Sequence, residues 1–263
     1  MTSAPRRTSR SSSGALPLEA HRLLLARYGP LGWWPAESPL EVCVGAILTQ
    51  NTAWSNAERA LGNLRAAGLL GDARALLALP EARLAGLLRP AGSFRVKARR
   101  LRALLRWILA RGDGDPRAAL RGDPARIRAD LLAVHGVGPE TADALLLYAG
   151  GHPVFVVDAY ARRVAGRHGW RDPGEDHDRM RAWFESGLPR DPRVLNELHA
   201  EIVTVGKEHC RPVPRCDGCP LEPLLPRGGP LPLPAATRRR AAPRAGSATR
   251  RGAGTGRGRS RAR

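Results

Sequence analysis

Apolar side chains recur at helical spacing along most of this 263-residue chain, and short turns with glycine or proline separate the helical segments. The single strand-like run, Val154 to Val157, is too short to build a sheet. The pattern therefore predicts a compact all-α fold. The predicted helices are Leu16 to Arg27, Leu40 to Leu48, Trp54 to Ala67, Asp72 to Leu79, Pro80 to Leu88, Val96 to Leu109, Pro124 to Val134, Pro139 to Ala149, Ala159 to His168, Glu175 to Ser186 and Pro192 to Val205.

The two ends of the chain differ from its middle in composition and charge. Both are rich in Gly, Pro, Ser, Ala and Arg and contain too little apolar surface to offset the entropy of ordering. We therefore predict a disordered basic arm at 1–14, a folded domain at 15–226 and a disordered Arg-rich tail at 227–263. Fourteen arginines and no acidic residue lie in the two ends, so the formal net charge of +19 leaves +5 for the middle.

This charge distribution indicates a partner. Arginine tails bind phosphate backbones without reading sequence, so we expect contact with nucleic acid. The alternative is a solvated tail without a partner. No run approaches the roughly 20 apolar residues of a membrane helix. No apolar stretch follows the first arginines, as a secretory signal would require. We expect a cytoplasmic protein that does not bind membranes.

A hairpin between two predicted helices is the first chemical motif. One helix ends at Gly136-Val137-Gly138, and the next begins with Pro139 at its first position, where a missing N–H costs nothing. Glycine allows a ligand to approach the backbone closely, and the N–H groups at a helix start bind anions such as a DNA phosphate. The alternative is an ordinary αα-hairpin, because glycine-rich turns between helices are common.

Asp158 is the second motif. It ends the apolar run after the hairpin helix and precedes another predicted helix, so an N-cap role alone would account for it. A carboxylate in a cleft can also stabilise positive charge on a sugar, or activate water, when an N-glycosidic bond breaks.

Together, the hairpin and Asp158 resemble the endonuclease III, or helix-hairpin-helix (HhH-GPD), superfamily of DNA glycosylases. The resemblance covers roughly Leu16 to Pro220 and is strongest from Val134 to Val164. It implies a six-helix lobe at about 38–153 and a second lobe from 15–37 and 154–226, with DNA between them and the target nucleotide flipped out. It also implies that Asp158 is the essential carboxylate. The implied DNA contacts are His135, Gly136, Val137, Gly138 and Thr141.

Glu140 occupies the position that divides this superfamily. Bifunctional members carry a lysine there, which attacks the sugar and then cleaves the strand, whereas a carboxylate cannot form a Schiff base. The chain has 41 arginines but only two lysines, Lys97 and Lys207, and neither lies in the hairpin. We therefore predict a monofunctional glycosylase without AP lyase activity, and any role of Glu140 itself stays open.

Further segments resemble the bacterial 3-methyladenine DNA glycosylases related to endonuclease III. They are Trp33-Trp34-Pro35, Leu48 to Thr52, Glu140 to Ala144 and Val157-Asp158 with Tyr160. That branch implies a base sandwiched by Trp33 or Trp34 together with Trp54, since aromatic faces favour a cationic alkylated purine. It also implies a wedge formed by Gln50 and Asn51, and a pocket role for Lys207. The alternatives are core tryptophans, an ordinary helix end and a surface lysine.

Three cysteines, Cys210, Cys216 and Cys219, resemble the start of the iron–sulfur loop of this superfamily. That loop usually supplies four thiolates for a [4Fe–4S] cluster, and Leu225 stands at the fourth position. Cys43 lies in an apolar helix and is predicted to be a core residue. Either the cluster has been lost or an unusual ligand completes it. We favour loss, with no cofactor required and with Arg211 and Arg215 facing DNA.

The sequence thus predicts a monomeric, monofunctional DNA glycosylase of base excision repair in the bacterial nucleoid. Its substrate would be double-stranded DNA with a damaged base, an alkylated purine, and Asp158 would be catalytic. One alternative is an endonuclease III-like glycosylase and AP lyase that acts on oxidised pyrimidines through a stray amine. Another is a non-catalytic protein that binds lesions or DNA.

Overall fold

The computed structural model describes residues 15–34 and 36–234, and no strand occurs among them. The predicted arm at 1–14 and the predicted tail from residue 235 onward lie outside these residues. Two 3₁₀ turns, Arg89–Ala91 and Glu222–Leu224, and a π-helical segment, Leu145–Ala149, accompany the α-helices. The α-helices are α1 (Ala15–Tyr28), α2 (Pro39–Leu48), α3 (Trp54–Ala66), α4 (Ala73–Ala78), α5 (Glu81–Leu87), α6 (Phe94–Gly112), α7 (Pro116–Ala119), α8 (Pro124–Leu132), α9 (Pro139–Ala144), α10 (Ala159–Arg167), α11 (His177–Ser186) and α12 (Pro192–Glu208).

The all-α prediction is confirmed, and the helices differ from the predicted ones in detail. The short helix α7 was not predicted, because four residues carry too little periodicity. The helix predicted from Pro139 to Ala149 changes to π geometry at Leu145. The run Val154 to Val157 is extended and buried but pairs with no strand in the described chain. No helix among the described residues is both long and apolar enough to cross a membrane.

Helix starts follow local side-chain chemistry. Ser38, Asp115, Asp123 and Asp191 each accept a hydrogen bond from a backbone N–H in the first turn, and proline follows each of them at the first helical position. The cap satisfies an N–H that has no partner within the helix, and proline fixes the helical φ angle without removing a needed donor. These local signals explain why several predicted helix starts agree with the structure.

Helix α2 is the centre of the first of two hydrophobic cores. All nine residues from Leu40 to Leu48 are buried. The helix packs against α3, α6, α7, α9 and the π-helical segment. The core that surrounds it draws its buried residues from Leu40 through Val154. Burial of this much apolar surface, at about 25 cal/mol per Å², is the main stabilising contribution in a helical fold.

The second core joins α1 to the C-terminal helices. Phe155 and Phe184 stack with ring centroids 4.2 Å apart, and α1, α10, α11 and α12 surround them. The His21 ring nitrogen Nδ1 lies 2.8 Å from a carboxylate oxygen of Glu201, which ties α1 to α12. This core takes residues from both ends of the described chain, whereas the first core draws on the segment between them.

The segment from Pro139 to Ala149 contributes to both cores. Leu145 and Leu146 belong to the first core, whereas Ala144 and Leu147 belong to the second. Tyr148 packs against both. The segment therefore joins the two cores.

A buried carboxylate fixes the same segment to its neighbours. Asp143 in α9 is fully buried. It accepts from Arg128 Nε at 2.6 Å in α8 and from Arg181 Nη1 at 3.3 Å in α11. His177 Nε2 lies 2.7 Å from its other oxygen. A buried charge with this many partners is expensive to break, because removing it leaves desolvated cations behind.

We predict that Asp143→Ala lowers the free energy of unfolding by about 3–5 kcal/mol, the range for breaking a buried ion pair. Urea denaturation measures this. The matched control is Asp178→Ala, because Asp178 pairs with the same Arg128 and Arg181 but is 55% exposed. That variant should lose no more than about 1 kcal/mol. Equal losses in the two variants would contradict the structural role assigned to Asp143.

Candidate active site

Asp158 stands at the point where the buried extended run meets α10. It is the N-cap of that helix, and its Oδ1 accepts from the Ala161 N–H at 2.8 Å. The side chain is 15% exposed, so the carboxylate is largely shielded but still reachable from solvent. Because the cap occupies one oxygen, Oδ2 stays available for another partner or for substrate. The N-cap interpretation and a catalytic role are therefore compatible.

The buried His199 and the half-buried Tyr148 lie behind Asp158. His199 Nε2 in α12 is 3.7 Å from Asp158 Oδ2. On its other side, His199 Nδ1 lies 2.5 Å from the Tyr148 hydroxyl. Burial lowers the pKa of His199, although the charge of Asp158 opposes this shift. Burial also raises the pKa of Tyr148, and the charges of Asp158 and Glu140 add to that increase.

The sequence analysis identified neither Tyr148 nor His199. They are 51 residues apart in the chain and reach Asp158 from different helices. A single tyrosine or histidine on an apolar helix face does not indicate, from sequence alone, that the two side chains will meet beside Asp158.

Glu140, in the first turn of α9, is close enough to Asp158 for the two charges to interact. Desolvation by the surrounding protein is the largest cause that raises the Glu140 pKa, to about 7, and repulsion by Asp158 adds to it. His177 and Arg162 act in the opposite direction. The residue is exposed by surface area, which places it at the accessible rim of the site.

The hairpin turn is tightly packed on one side. Gly136 has φ +86°, and a Cβ at this position would lie 2.2 Å from the Arg100 side chain, so only glycine fits. Gly138 is the N-cap of α9 and Pro139 its first residue. His135 is exposed. Val137 is buried, and its N–H donates to the Val134 carbonyl at 3.0 Å, so that amide is already used within the turn.

The two residues predicted as a wedge have different environments. Gln50 donates from Nε2 to the Gly136 carbonyl at 2.9 Å and to Thr141 Oγ1 at 3.0 Å, and its Oε1 accepts from Arg100 at 2.6 Å. It therefore fastens the end of α2 to the hairpin. Asn51 is exposed, with φ +54°. Of the pair, Asn51 is the one free to extend toward a ligand.

The predicted pocket tryptophans come together. Ring centroids are 5.9 Å apart for Trp33 and Trp34, 6.5 Å for Trp33 and Trp54, and 5.2 Å for Trp34 and Trp54. The Trp34 ring also lies 5.1 Å from that of Tyr148, next to the Asp158 site. All three tryptophans are half-buried, so each rests partly on the core and keeps some surface accessible. The rings contact one another at tilted or edge-on angles, and part of each ring stays accessible.

Helix α12 holds the loop that carries Trp33 and Trp34. Glu197 accepts from the backbone N–H groups of Leu31 and Gly32, and Asn196 donates to the Trp33 carbonyl. The same helix carries His199, so the aromatic cluster and the environment of Asp158 are positioned by one element.

The two lysines have different environments. Lys97 is 2% exposed, and its Nζ donates to the carbonyls of Leu48 at 2.8 Å and Ala91 at 2.6 Å. Burial lowers its pKa to about 8. Lys97 thus gives a hydrogen-bond donor to the Leu48 carbonyl at the end of α2. Lys207 is exposed, with its Nζ 5.5 Å from the centroid of the Trp33 ring.

The three cysteines of the C-terminal loop, Cys210, Cys216 and Cys219, line one small cavity of about 10 Å³. Leu225, at the predicted fourth position, also lines it. No group of three or more His, Cys, Asp or Glu in the described chain is arranged to hold a single metal ion. The donor set is one thiolate short of the four that a [4Fe–4S] cluster normally takes, so these residues do not fit a cluster of the usual kind.

The loop is bonded to arginines of α10. Arg163 donates to the Cys210 carbonyl and, at 2.9 Å, to the carbonyl of Gly206 near the end of α12. Arg167 is 5% exposed and donates to Cys210 Sγ at 3.3 Å and to the Pro212 carbonyl at 2.6 Å. Arg211 and Arg215, the predicted DNA-facing residues, are exposed. The hydrogen bonds from Arg163 and Arg167 therefore join the loop to α10.

Comparison with known proteins gives a consistent result. The family model of the HhH-GPD superfamily base excision DNA repair proteins matches residues 44–190. A Methanocaldococcus jannaschii protein named "Putative DNA repair glycosylase" is 43% identical over 203 residues, which are 77% of this chain and 92% of that protein. The structure of the H. pylori 3-methyladenine DNA glycosylase bound to 1,N6-ethenoadenine is 27% identical, covers 75% of this chain and 98% of that one, and has a TM-score of 0.64. A trapped endonuclease III–DNA intermediate is 20% identical, covers 82% and 96%, has a TM-score of 0.67 and shares the fold.

Proposed function

The chain belongs to the HhH-GPD superfamily and is a DNA glycosylase of base excision repair, and from this premise we propose that it is monofunctional and removes alkylated purines. One observation carries the first part of the proposal. The residue that faces Asp158 from the start of α9 is a carboxylate, Glu140, and not an amine.

In the proposed reaction, a flipped nucleotide enters the cleft next to Asp158. The C1′–N bond breaks, and positive charge develops on the sugar while the base leaves with the bonding electrons. The Asp158 carboxylate stabilises that charge. Water adds to C1′ and gives up a proton, and the products are a free base and an intact strand with an abasic site. Because the two available carboxylates cannot form an imine, the strand is not cleaved.

The aromatic cluster supports an alkylated purine as the substrate. Trp33, Trp34 and Trp54 offer electron-rich faces, and attraction to a ring quadrupole favours a cationic base over a neutral one. Lys207 already lies over the Trp33 ring. The H. pylori relative is a 3-methyladenine DNA glycosylase, solved with 1,N6-ethenoadenine. The tryptophan cluster and this relative both support a pocket for a flat, modified adenine.

We assign the DNA contacts to the hairpin and to the loop after α2. The amides of Gly136 and Gly138, at the start of α9, would bind a phosphate, flanked by the exposed His135. Thr141 and Gln50 are bonded to each other, so they would support this turn from behind. Asn51 would fill the space that the flipped nucleotide leaves.

The direct test is excision from duplex DNA that carries a single 3-methyladenine analogue, or a single oxidised pyrimidine in a parallel substrate. We expect strand breaks on the alkylated duplex only after alkali treatment. Asp158→Asn should lower turnover by about 100-fold or more while leaving DNA affinity unchanged, since asparagine also caps a helix.

Other outcomes identify the rival functions. Breaks without alkali that disappear in Lys207→Gln would reveal a stray amine and a lyase. Activity on the oxidised pyrimidine alone would contradict the proposed pocket. Binding without turnover on either duplex would indicate a non-catalytic DNA-binding protein.

We predict that Glu140→Lys gains lyase chemistry. The substitution places an amine beside Asp158, where it can form a Schiff base with the opened sugar. Borohydride should then trap a covalent protein–DNA complex that wild type does not form. Glu140→Arg is the matched control, because its guanidinium stays protonated and is a poor nucleophile. Trapping by the arginine variant, or by neither variant, would contradict the assignment of this position.

We also propose that the enzyme needs no iron–sulfur cluster. Leu225 at the fourth position supports this, as do the hydrogen bonds from Arg163 to the Cys210 carbonyl and from Arg167 to the Pro212 carbonyl. Purified protein should contain no stoichiometric iron and show no broad visible absorbance. Cys216→Ser should change the free energy of unfolding by less than about 1 kcal/mol, as expected for a partly exposed residue without a metal bond. Stoichiometric iron that is lost in Cys216→Ser would overturn the proposal.

A further inference from the structure

Asp158 Oδ2 has an unusual neighbour in His199. The imidazole is 4% exposed, and its Nε2 is buried without a hydrogen-bond partner in the described structure. That nitrogen lies 3.7 Å from Asp158 Oδ2. A buried polar atom without a partner carries a free-energy penalty, so its retention beside the catalytic carboxylate calls for an explanation.

The protonation of His199 follows from its surroundings. Burial lowers the pKa of His199, so the ring is neutral and carries a single N–H at neutral pH. The Tyr148 hydroxyl keeps its proton, because burial raises the pKa of that group. At 2.5 Å it is in position to donate to Nδ1. The ring proton then resides on Nε2, and the nearby Asp158 carboxylate favours the same tautomer, since the alternative would place a lone pair against an anion.

We propose that His199 is a positioning residue: Tyr148 fixes its proton on Nε2, and the Nε2–H faces Asp158 Oδ2 and holds that carboxylate as the oriented anion. This rests on the proposed function of Asp158. With Ala161 N–H on Oδ1 and His199 on Oδ2, both oxygens have a donor. The 3.7 Å separation is longer than a hydrogen bond, and catalytic hydrogen bonds commonly tighten when substrate closes a cleft.

The position of His199 offsets an unfavourable interaction between two carboxylates. Glu140 of α9 lies close enough to Asp158 for their charges to repel each other. A donor on the free oxygen of Asp158 would offset that repulsion and keep the carboxylate oriented toward the sugar. Four titratable or charged groups lie near Asp158 and Glu140. Tyr148 and His199 lie behind Asp158, and His177 and Arg162 stabilise the Glu140 anion. Among them, His199 is the donor placed against the free oxygen of Asp158.

Nuclear magnetic resonance tests the inference in the full-length protein without relying on activity. With ¹⁵N-labelled histidine, we expect the Nε2–H tautomer of His199 in wild type and a mixture of tautomers in Tyr148→Phe. With ¹³C-labelled aspartate in a Glu140→Gln background, which removes the competing carboxylate, His199→Leu should raise the Asp158 pKa by about one unit. His199→Gln, which retains a donor, should restore most of this shift.

Single-turnover excision rates measured against pH give a kinetic test. In His199→Leu, the pH at which the rate falls on the acid side should rise by the same amount, whereas a merely structural role would lower the rate at every pH alike. An Nδ1–H tautomer in wild type, or an unmoved Asp158 pKa in a folded His199→Leu, overturns the inference. If His199→Leu does not fold, the tautomers of wild type and Tyr148→Phe decide. If wild type excises no base, the proposed function fails, and the resonance data still decide the role of His199.

Discussion

The packing of the segment from Pro139 to Ala149 between two hydrophobic cores is the constraint on which the site depends. Its first turn carries Glu140, its middle carries the buried Asp143, and its last turn carries Tyr148. Each side of the segment is buried against a different core, so it cannot rotate without breaking both. Within this segment the backbone changes from α to π geometry at Leu145.

This placement gives the carboxylates distinct environments. The Asp158 carboxylate accepts from the Ala161 N–H at the start of α10, whereas the exposed Glu140 has no such donor among the described residues. Desolvation and the charge of Asp158 raise the pKa of Glu140 to about 7, so its charge changes near neutral pH. The charge next to Asp158 changes with it, so excision is expected to respond to both acids.

Local chemistry determined what could be predicted from the sequence. Helical periodicity, Asp-Pro caps and the Gly-x-Gly turn act over a few residues, so they predicted most helices, the hairpin and Asp158. The π-helical segment carries neither proline nor glycine, so no local signal predicts its geometry. The neighbours of Asp158 were missed because Tyr148 and His199 meet only where α12 packs against the π-helical segment. Gln50, predicted as part of the wedge, bonds to the hairpin through contacts 86 and 91 residues away, which the sequence pattern does not indicate.

The scarcity of lysine gives this site its chemical character. Arginine supplies nearly all the positive charge of the chain, and its guanidinium binds phosphates and carbonyls but does not act as a nucleophile. Of the two lysines, Lys97 is buried with its amine bonded to two backbone carbonyls, and Lys207 lies over an aromatic ring. The described groups around Asp158 are a second carboxylate, an imidazole and a phenol. Such a set can stabilise a cation and orient water but contains no amine, which supports the proposed hydrolysis without strand cleavage.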